Sequence, residues 1–285
     1  MLTINIIGAG NLGKTIGYLL ANSDKVKIGY ICNKSKESST NAIKFIGSGN
    51  LCEKISELPH ADITLIATPD DSIEMVCKEL SKNNNLLAGD LIFHCSGSLT
   101  SDALISSKEK GCITASIHPM RSFAVPELSI EQYKGTYCAL EGDNKAIETL
   151  QLIFEAIGST TYLIDKNKKT LYHASGVFAS NYLVTLSQLA LNCLQEAGVE
   201  NDIAMQVITN IMKGTVSNLE KTLSPKKSLT GPLQRGDIKT VKKHIEELPS
   251  QEKDLYQRLA LSTLALTSHD GSKLDFIRNS ILQEK

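Results

Sequence analysis

The stretch NIIGAGNLGKTIG, residues 5–17, restricts the fold of this chain more than any other. An apolar strand pattern runs into three glycines spaced G-x-G-x-x-G, and a helical pattern follows at once. Gly8 allows the tight turn, Gly10 lets the backbone approach a diphosphate, and Gly13 permits close packing of helix on strand. The start of the helix then offers unpaired N–H groups and the positive end of its dipole. Gly8, Ala9, Gly10, Asn11, Leu12 and Gly13 are therefore expected to cradle the phosphates of a dinucleotide.

Short apolar runs alternate with helix-length segments as far as residue 164. TINIIG, KIGYIC, ITLIAT, DLIFHCSG, ITASIH, TYCALEG and TTYLID are strand-like, which predicts a parallel, doubly wound α/β domain over residues 1–164. The polar run DKNKK at 165–169 marks the boundary. Beyond it the pattern is helical throughout, giving a second, all-helical domain over residues 165–285. One long helix ends at Gly198, and others are expected at about 200–220, 237–248 and 251–268.

Thirty Lys and Arg against 31 Asp and Glu leave a formal charge of −1, so no basic field draws the chain to nucleic acid or an anionic membrane. A small-molecule partner is expected instead. No uninterrupted apolar run approaches the roughly 20 residues of a membrane helix, and the N-terminus has no leader pattern. A soluble, cytoplasmic protein is the expectation. The seven cysteines are scattered without a C-x-x-C pair, which predicts that most are buried thiols and that there is no metal site, with Cys95 the one to watch for reactivity.

The second strand selects the dinucleotide. An NAD site places Asp or Glu about 20 residues past the glycines, to bond the ribose 2'-hydroxyl. Here the strand ends at Asn33, 25 residues after Gly8, followed by Lys34, Ser35 and Lys36, with no acid before Glu37. Donors and positive charge suit a 2'-phosphate, so NADP (NADPH) is the expected cofactor. Thr68 and Pro69 end the next strand and are expected near the nicotinamide, while Ser96 and Gly97 edge the substrate crevice.

The glycine turn with NKS, ATPD and HCSGSL resembles the nucleotide-binding half of the 6-phosphogluconate dehydrogenase-like superfamily. SIHPMRSFA (116–124), YHASGVFASNYLVTL (172–186) and LTGPLQRGD (229–237) resemble a bacterial family of Rossmann proteins with a helical C-terminal domain of unknown function. The resemblance covers almost the whole chain. It implies a Rossmann domain and NADP, and one branch of the family is an alternative ketopantoate reductase of pantothenate biosynthesis. Better-known members of the superfamily carry a lysine and an asparagine on the first long helix of the second domain. This chain departs from that pattern, with His173 where the lysine is expected.

Ketone reduction needs a hydride, a proton for the developing alkoxide and donors that stabilise it. At about 100° per residue, His173 and Ser180 lie some 20° apart around a helix and Asn181 roughly 80° from His173. An imidazole with an ordinary pKa of about 6.5 can give a proton near neutrality. His173 is therefore the expected proton donor, with Asn181 and Ser180 orienting the substrate. His118, Arg121 and Arg235 are candidate substrate contacts. Only four arginines occur in the chain, and Arg121 could bind a carboxylate in a bidentate way. Asp237 is positioned to cap the helix after Arg235. The function expected is NADPH-dependent reduction of a small oxo acid, ketopantoate above others, by a homodimer. Reduction of another oxo acid or an imine, and a non-catalytic NADPH sensor or scaffold, are the alternatives.

Overall fold

The structure, a computed structural model, describes residues 1–282. By packing, the chain divides into two compact units, with the second beginning at Ser180.

The first unit is built on one eight-stranded sheet. Its strands are β1 (Leu2–Ile7), β2 (Val26–Cys32), β3 (Asn50–Leu51), β4 (Ile63–Ile66), β5 (Leu91–His94), β6 (Ile113–Pro119), β7 (Tyr137–Gly142) and β8 (Thr160–Leu163). They lie in the order β3-β2-β1-β4-β5-β6-β7-β8. The principal helices between them are α1 (Asn11–Ala21), α2 (Lys36–Ile46), α3 (Asp70–Leu80), the short α4 (Ile105–Lys108), α5 (Pro126–Glu131) and α6 (Asn144–Ala156). All seven strands expected from the apolar runs are present. β3 has two residues, too few to leave a periodic signal.

Both faces of the sheet are covered, which is why its central strands read as unbroken apolar runs. Ile4, Ile6, Ile16, Leu20, Leu65 and Phe93 are buried in one cluster, and Ile7, Ile66, Ile73, Cys77 and Ile92 in another. The sheet departs from the all-parallel expectation at one place, where β7 runs antiparallel to β6. α5, on the connection between them, packs on α1. The chain thus re-enters the sheet from the end at which β6 left it. β1 lies between β2 and β4, so the strand order reverses there and a crevice opens beyond the carboxyl ends of β1 and β4.

The sheet ends at Leu163, close to the boundary expected after residue 164. The contact division falls later, after Ala179. The reason is that α7 (Lys169–Gly176) is tied to the sheet by the side chains of Lys169 and Tyr172. A π-helical segment, Val177–Asn181, follows directly. Insertions of this kind widen the helix locally and recur at functional sites. The 100° spacing used to align His173 with Ser180 and Asn181 therefore does not hold across this segment.

The second unit is helical: α8 (Tyr182–Glu196), α9 (Asn201–Thr222), the short α10 (Pro225–Ser228) and α11 (Pro232–Arg235), α12 (Ile238–Glu247), α13 (Ser250–Leu264) and α14 (Gly271–Leu282). α14 lies beyond the last helix expected from the sequence. Its Ile277 and Ile281 are buried with Val241 and Ile245 of α12 and Ala260 and Leu264 of α13. α8 and α9 pack on each other yet leave large apolar side chains exposed, among them Val184 (70%) and Ile211 (63%). One helical stretch, Lys166–Glu196, contains an 18-residue window of mean hydropathy 1.2, long and apolar enough to cross a membrane by length and composition alone. Uninterrupted apolar runs do not reveal it, because Ser180, Asn181, Ser187 and Gln188 break the run while the Leu, Val, Phe and Ala residues around them keep the window average high.

Candidate active site

The site grows from the crevice beside β1. Gly8 has φ +88°, and a Cβ there would lie 2.6 Å from Thr68 Cγ2 and 2.8 Å from the Thr68 nitrogen. The turn is thus pressed against the end of β4, a position open only to glycine. At Gly10 the opposite holds, since a Cβ would meet nothing within 4 Å. That open space faces the first turn of α1, which carries no acidic residue. A cleft of about 310 Å³ follows, lined by Gly10, Asn11, Thr68, Pro69, Asp70 and Ser96 among others. Thr68 lines it, and the buried Oγ1 of that residue has no hydrogen-bond partner among the described residues. An orphaned hydroxyl beside free helix-start N–H groups is what a polar, phosphorylated ligand would satisfy.

Asn33 closes this cradle from the side. Its Oδ1 accepts from the Ala9 N–H at 2.6 Å, and its Nδ2 donates to Ser38 Oγ at 3.1 Å. Ser35 caps α2, its Oγ accepting from the Ser38 N–H at 3.2 Å. Both side chains hold the loop's shape. Lys36 pairs with Glu53 at 3.0 Å. Lys34 is exposed and makes no ion pair among the described residues, so it is the cation of this loop available to a 2'-phosphate.

Beyond β4 and β5 the side chains fix a second loop. Asp70 Oδ2 accepts from Ser96 Oγ and Ser98 Oγ, both at 2.7 Å. Ser96 Oγ also accepts from the Leu99 N–H at 2.9 Å, so this hydroxyl is occupied in shaping the loop. His94 is fully buried. Its Nδ1 accepts from the Ser96 N–H at 3.1 Å and its Nε2 lies 3.0 Å from the Thr100 carbonyl. Burial pushes its pKa down to about 4, so the ring is neutral. Cys95 is buried too, and desolvation pushes its thiol well above the ordinary range, which argues against reactivity.

Two imidazoles flank Gly97 in this loop. A Cβ on Gly97 would lie 2.6 Å from His173 Cδ2 and 2.8 Å from His118 Nε2. The ring centroids of His118, at the end of β6, and His173, on α7, are 6.2 Å apart. His118 Nδ1 lies 2.7 Å from the hydroxyl of Tyr172, which approaches edge-on. Under them lies a buried ion pair. Lys169 Nζ sits 2.9 Å from Glu141 Oε1 and also donates to Ser116 Oγ, while Glu141 accepts from the backbone and hydroxyl of Ser101 at 2.8 and 2.7 Å. The Lys169 and Glu141 side chains are 1% and 3% exposed.

The first unit therefore brings His118 and His173 together beside the cleft lined by Thr68, Pro69 and Ser96. Arg121 does not turn its guanidinium free; it donates to the carbonyl of Gln132 and, at 2.7 Å, to Gln132 Oε1. Ser180 and Asn181 lie in the π segment, within the second unit. Arg235 is exposed at the end of α11, and Asp237 caps α12 by accepting from Thr240 N–H at 3.2 Å. Lys169, Glu141, Asp70 and Tyr172 are the residues the sequence did not single out. Glu141 carried a signal, as an acid in an otherwise buried strand needs a cation. Lys169 was hidden in a lysine-rich run that reads as solvated.

Residues 136–263 match the model of a domain of unknown function (DUF2520), and residues 1–119 match that of a Rossmann-like domain. The two matches follow one another along the chain, a Rossmann-like domain and then a DUF2520 domain. Protein TM1727 from Thermotoga maritima shares this architecture, with 27% identity over 99% of each chain and a TM-score of 0.71. A candidate NADP oxidoreductase, BF3122 from Bacteroides fragilis, is 20% identical over 92% of this chain and 97% of its own, with a TM-score of 0.71. Pyrroline carboxylate reductase from Plasmodium falciparum, solved with NADP bound, is 14% identical over 98% of each chain, with a TM-score of 0.60. At such identities these last two share the fold. No curated protein sequence matches the chain.

Proposed function

We propose that this Rossmann and helical-domain protein is an NADPH-dependent oxidoreductase that reduces a small oxo acid, with 2-dehydropantoate (ketopantoate) to pantoate as the named case. The observation that carries the reading is the buried, unpartnered Oγ1 of Thr68, a residue lining the cleft that Gly10 leaves open, with two imidazoles beside that cleft at Gly97. The fit extends to the cofactor's ends. N–H groups of Asn11, Leu12 and Gly13 would hold the diphosphate, Lys34 the 2'-phosphate, and Thr68 the nicotinamide half. When bound, NADPH supplies the hydride that adds to the substrate's carbonyl carbon. His173, exposed to solvent, supplies the proton to the oxygen, and its twin His118 bonds the same group. Asn181 and Ser180 remain proposed orienting groups, and Arg121 and Arg235 proposed carboxylate contacts, Arg121 on release from Gln132.

Steady-state oxidation of NADPH by the full chain with a panel of oxo acids and cyclic imines tests the reading. Turnover of at least one oxo acid is expected. A protein that binds NADPH and leaves every compound unreduced is a sensor, and the proposal fails. Lys34→Glu should cut the preference for NADPH over NADH by roughly tenfold or more, since a charge-assisted bond worth about 1.5–3 kcal/mol becomes a repulsion. An unchanged ratio of kcat/KM values for the two cofactors would remove Lys34 from the phosphate pocket.

A second copy of this chain is the proposed cover for the exposed apolar side chains of α8 and α9. Sedimentation at micromolar concentration should give twice the mass of 31.0 kDa. A monomer there would reject the dimer. All seven cysteines are free, as a reducing, cytoplasmic compartment would keep them.

A further inference from the structure

We propose that Tyr172 holds His118 with its proton on Nε2, so that His118 is a fixed neutral donor and the site is built for a carbonyl rather than an iminium substrate. The inference rests on the reductase reading and narrows it.

The geometry of His118 divides its two nitrogens. Nδ1 is engaged by the Tyr172 hydroxyl at 2.7 Å. Nε2 forms no hydrogen bond among the described residues, and it lies where Gly97 lacks a side chain. Tyr172 is half-buried, and burial raises its pKa above the ordinary phenol range, so it keeps its proton, which we assign to the 2.7 Å contact with Nδ1 rather than the longer 3.5 Å approach to the His118 carbonyl. A neutral imidazole whose Nδ1 accepts must carry its proton on Nε2. Burial above all keeps His118 neutral, and two of the groups facing it add to this. Lys169 approaches from beneath and His173 from the same helix, both disfavouring a second proton. Asp70 favours one, more weakly, and burial outweighs it. His118 Nε2–H is thus a donor held in place before substrate arrives, the property that makes such groups effective at a developing oxyanion.

Chemistry then separates the two substrate classes. A ketone oxygen has lone pairs that accept from Nε2–H, increasingly so as hydride addition breaks the C=O π bond and charge collects on oxygen. A protonated imine has none to offer. The His118 proton stays on Nε2 through this step, and the proton that completes the hydroxyl comes from His173, which solvent can reprotonate.

The test uses the full chain labelled with ¹⁵N at histidine. At pH 7 the imidazole spectrum should show His118 protonated on Nε2, with Nδ1 displaced by its bond. Tyr172→Phe should move Nδ1 toward its unbonded position and lower kcat on the oxo acid roughly tenfold, with KM little changed. His118→Gln, whose amide N–H can reach the Nε2 position, should retain more activity than His118→Leu. A proton on Nδ1 in the unmodified protein, or an Nδ1 resonance indifferent to Tyr172→Phe, overturns the assignment whatever the enzyme reduces. Faster reduction of a cyclic imine than of any oxo acid overturns the carbonyl preference and leaves the reductase reading intact. Oxidation of NADPH with neither class rejects the substrate assignment along with that reading, while the spectrum still reports the tautomer.

Discussion

Lys169→Met is expected to destabilise the first unit by about 3–5 kcal/mol, because it removes one partner of a buried ion pair and leaves the other without a counter-charge. The side chains of Lys169 and Glu141 are 1% and 3% exposed, and Glu141 would keep the two bonds from Ser101 but lose its cation. Burial pulls the Lys169 pKa down while Glu141 pulls it up, so the ammonium depends on the carboxylate as much as the reverse. In a domain of this size the loss corresponds to a thermal midpoint lower by roughly 10 °C. The double variant Lys169→Met, Glu141→Leu should recover much of it, since an apolar pair needs no charge compensation. A single variant within 1 °C of the original midpoint, measured by calorimetry, would mean that water reaches the pair and that it does not anchor α7.

Gly97→Ala is expected to lower kcat about 100-fold at a smaller cost to stability, on the order of 1–3 kcal/mol. The added methyl would stand 2.6 Å from His173 Cδ2 and 2.8 Å from His118 Nε2, closer than packed atoms allow. Something must yield, and the ring of His173, on the exposed side, has room to do so. Displacing either imidazole by about 1 Å spoils alignment with the reacting oxygen, which is costly out of proportion to the movement. The affinity for NADPH should change little, since the glycine turn and Thr68 are not touched by the substitution. A variant with full kcat would show that the two histidines are not the groups at the reacting centre.

The sequence by itself determined what depends on neighbours along the chain. Alternating strand and helix patterns located seven of eight strands. The spacing of Gly8, Gly10 and Gly13 located the tight turn from β1 into α1, and LTGPLQRGD correctly placed Asp237 as a cap. Each follows from local rules: backbone sterics, strand and helix periods, and the unpaired groups at a helix start. Tertiary structure alone decided which distant side chains meet. Tyr172 reaches His118 across 54 residues and Lys169 reaches Glu141 across 28, because β6 and β7 pair antiparallel in one register and α7 brings both side chains against that pair. It also turned Asn33 toward Ala9 and Arg121 toward Gln132, and placed a π segment where an ideal helix would have aligned His173 with Ser180. Such contacts are set by strand register and by the desolvation of whole groups, and neither quantity is carried by the spacing of residues within any one segment.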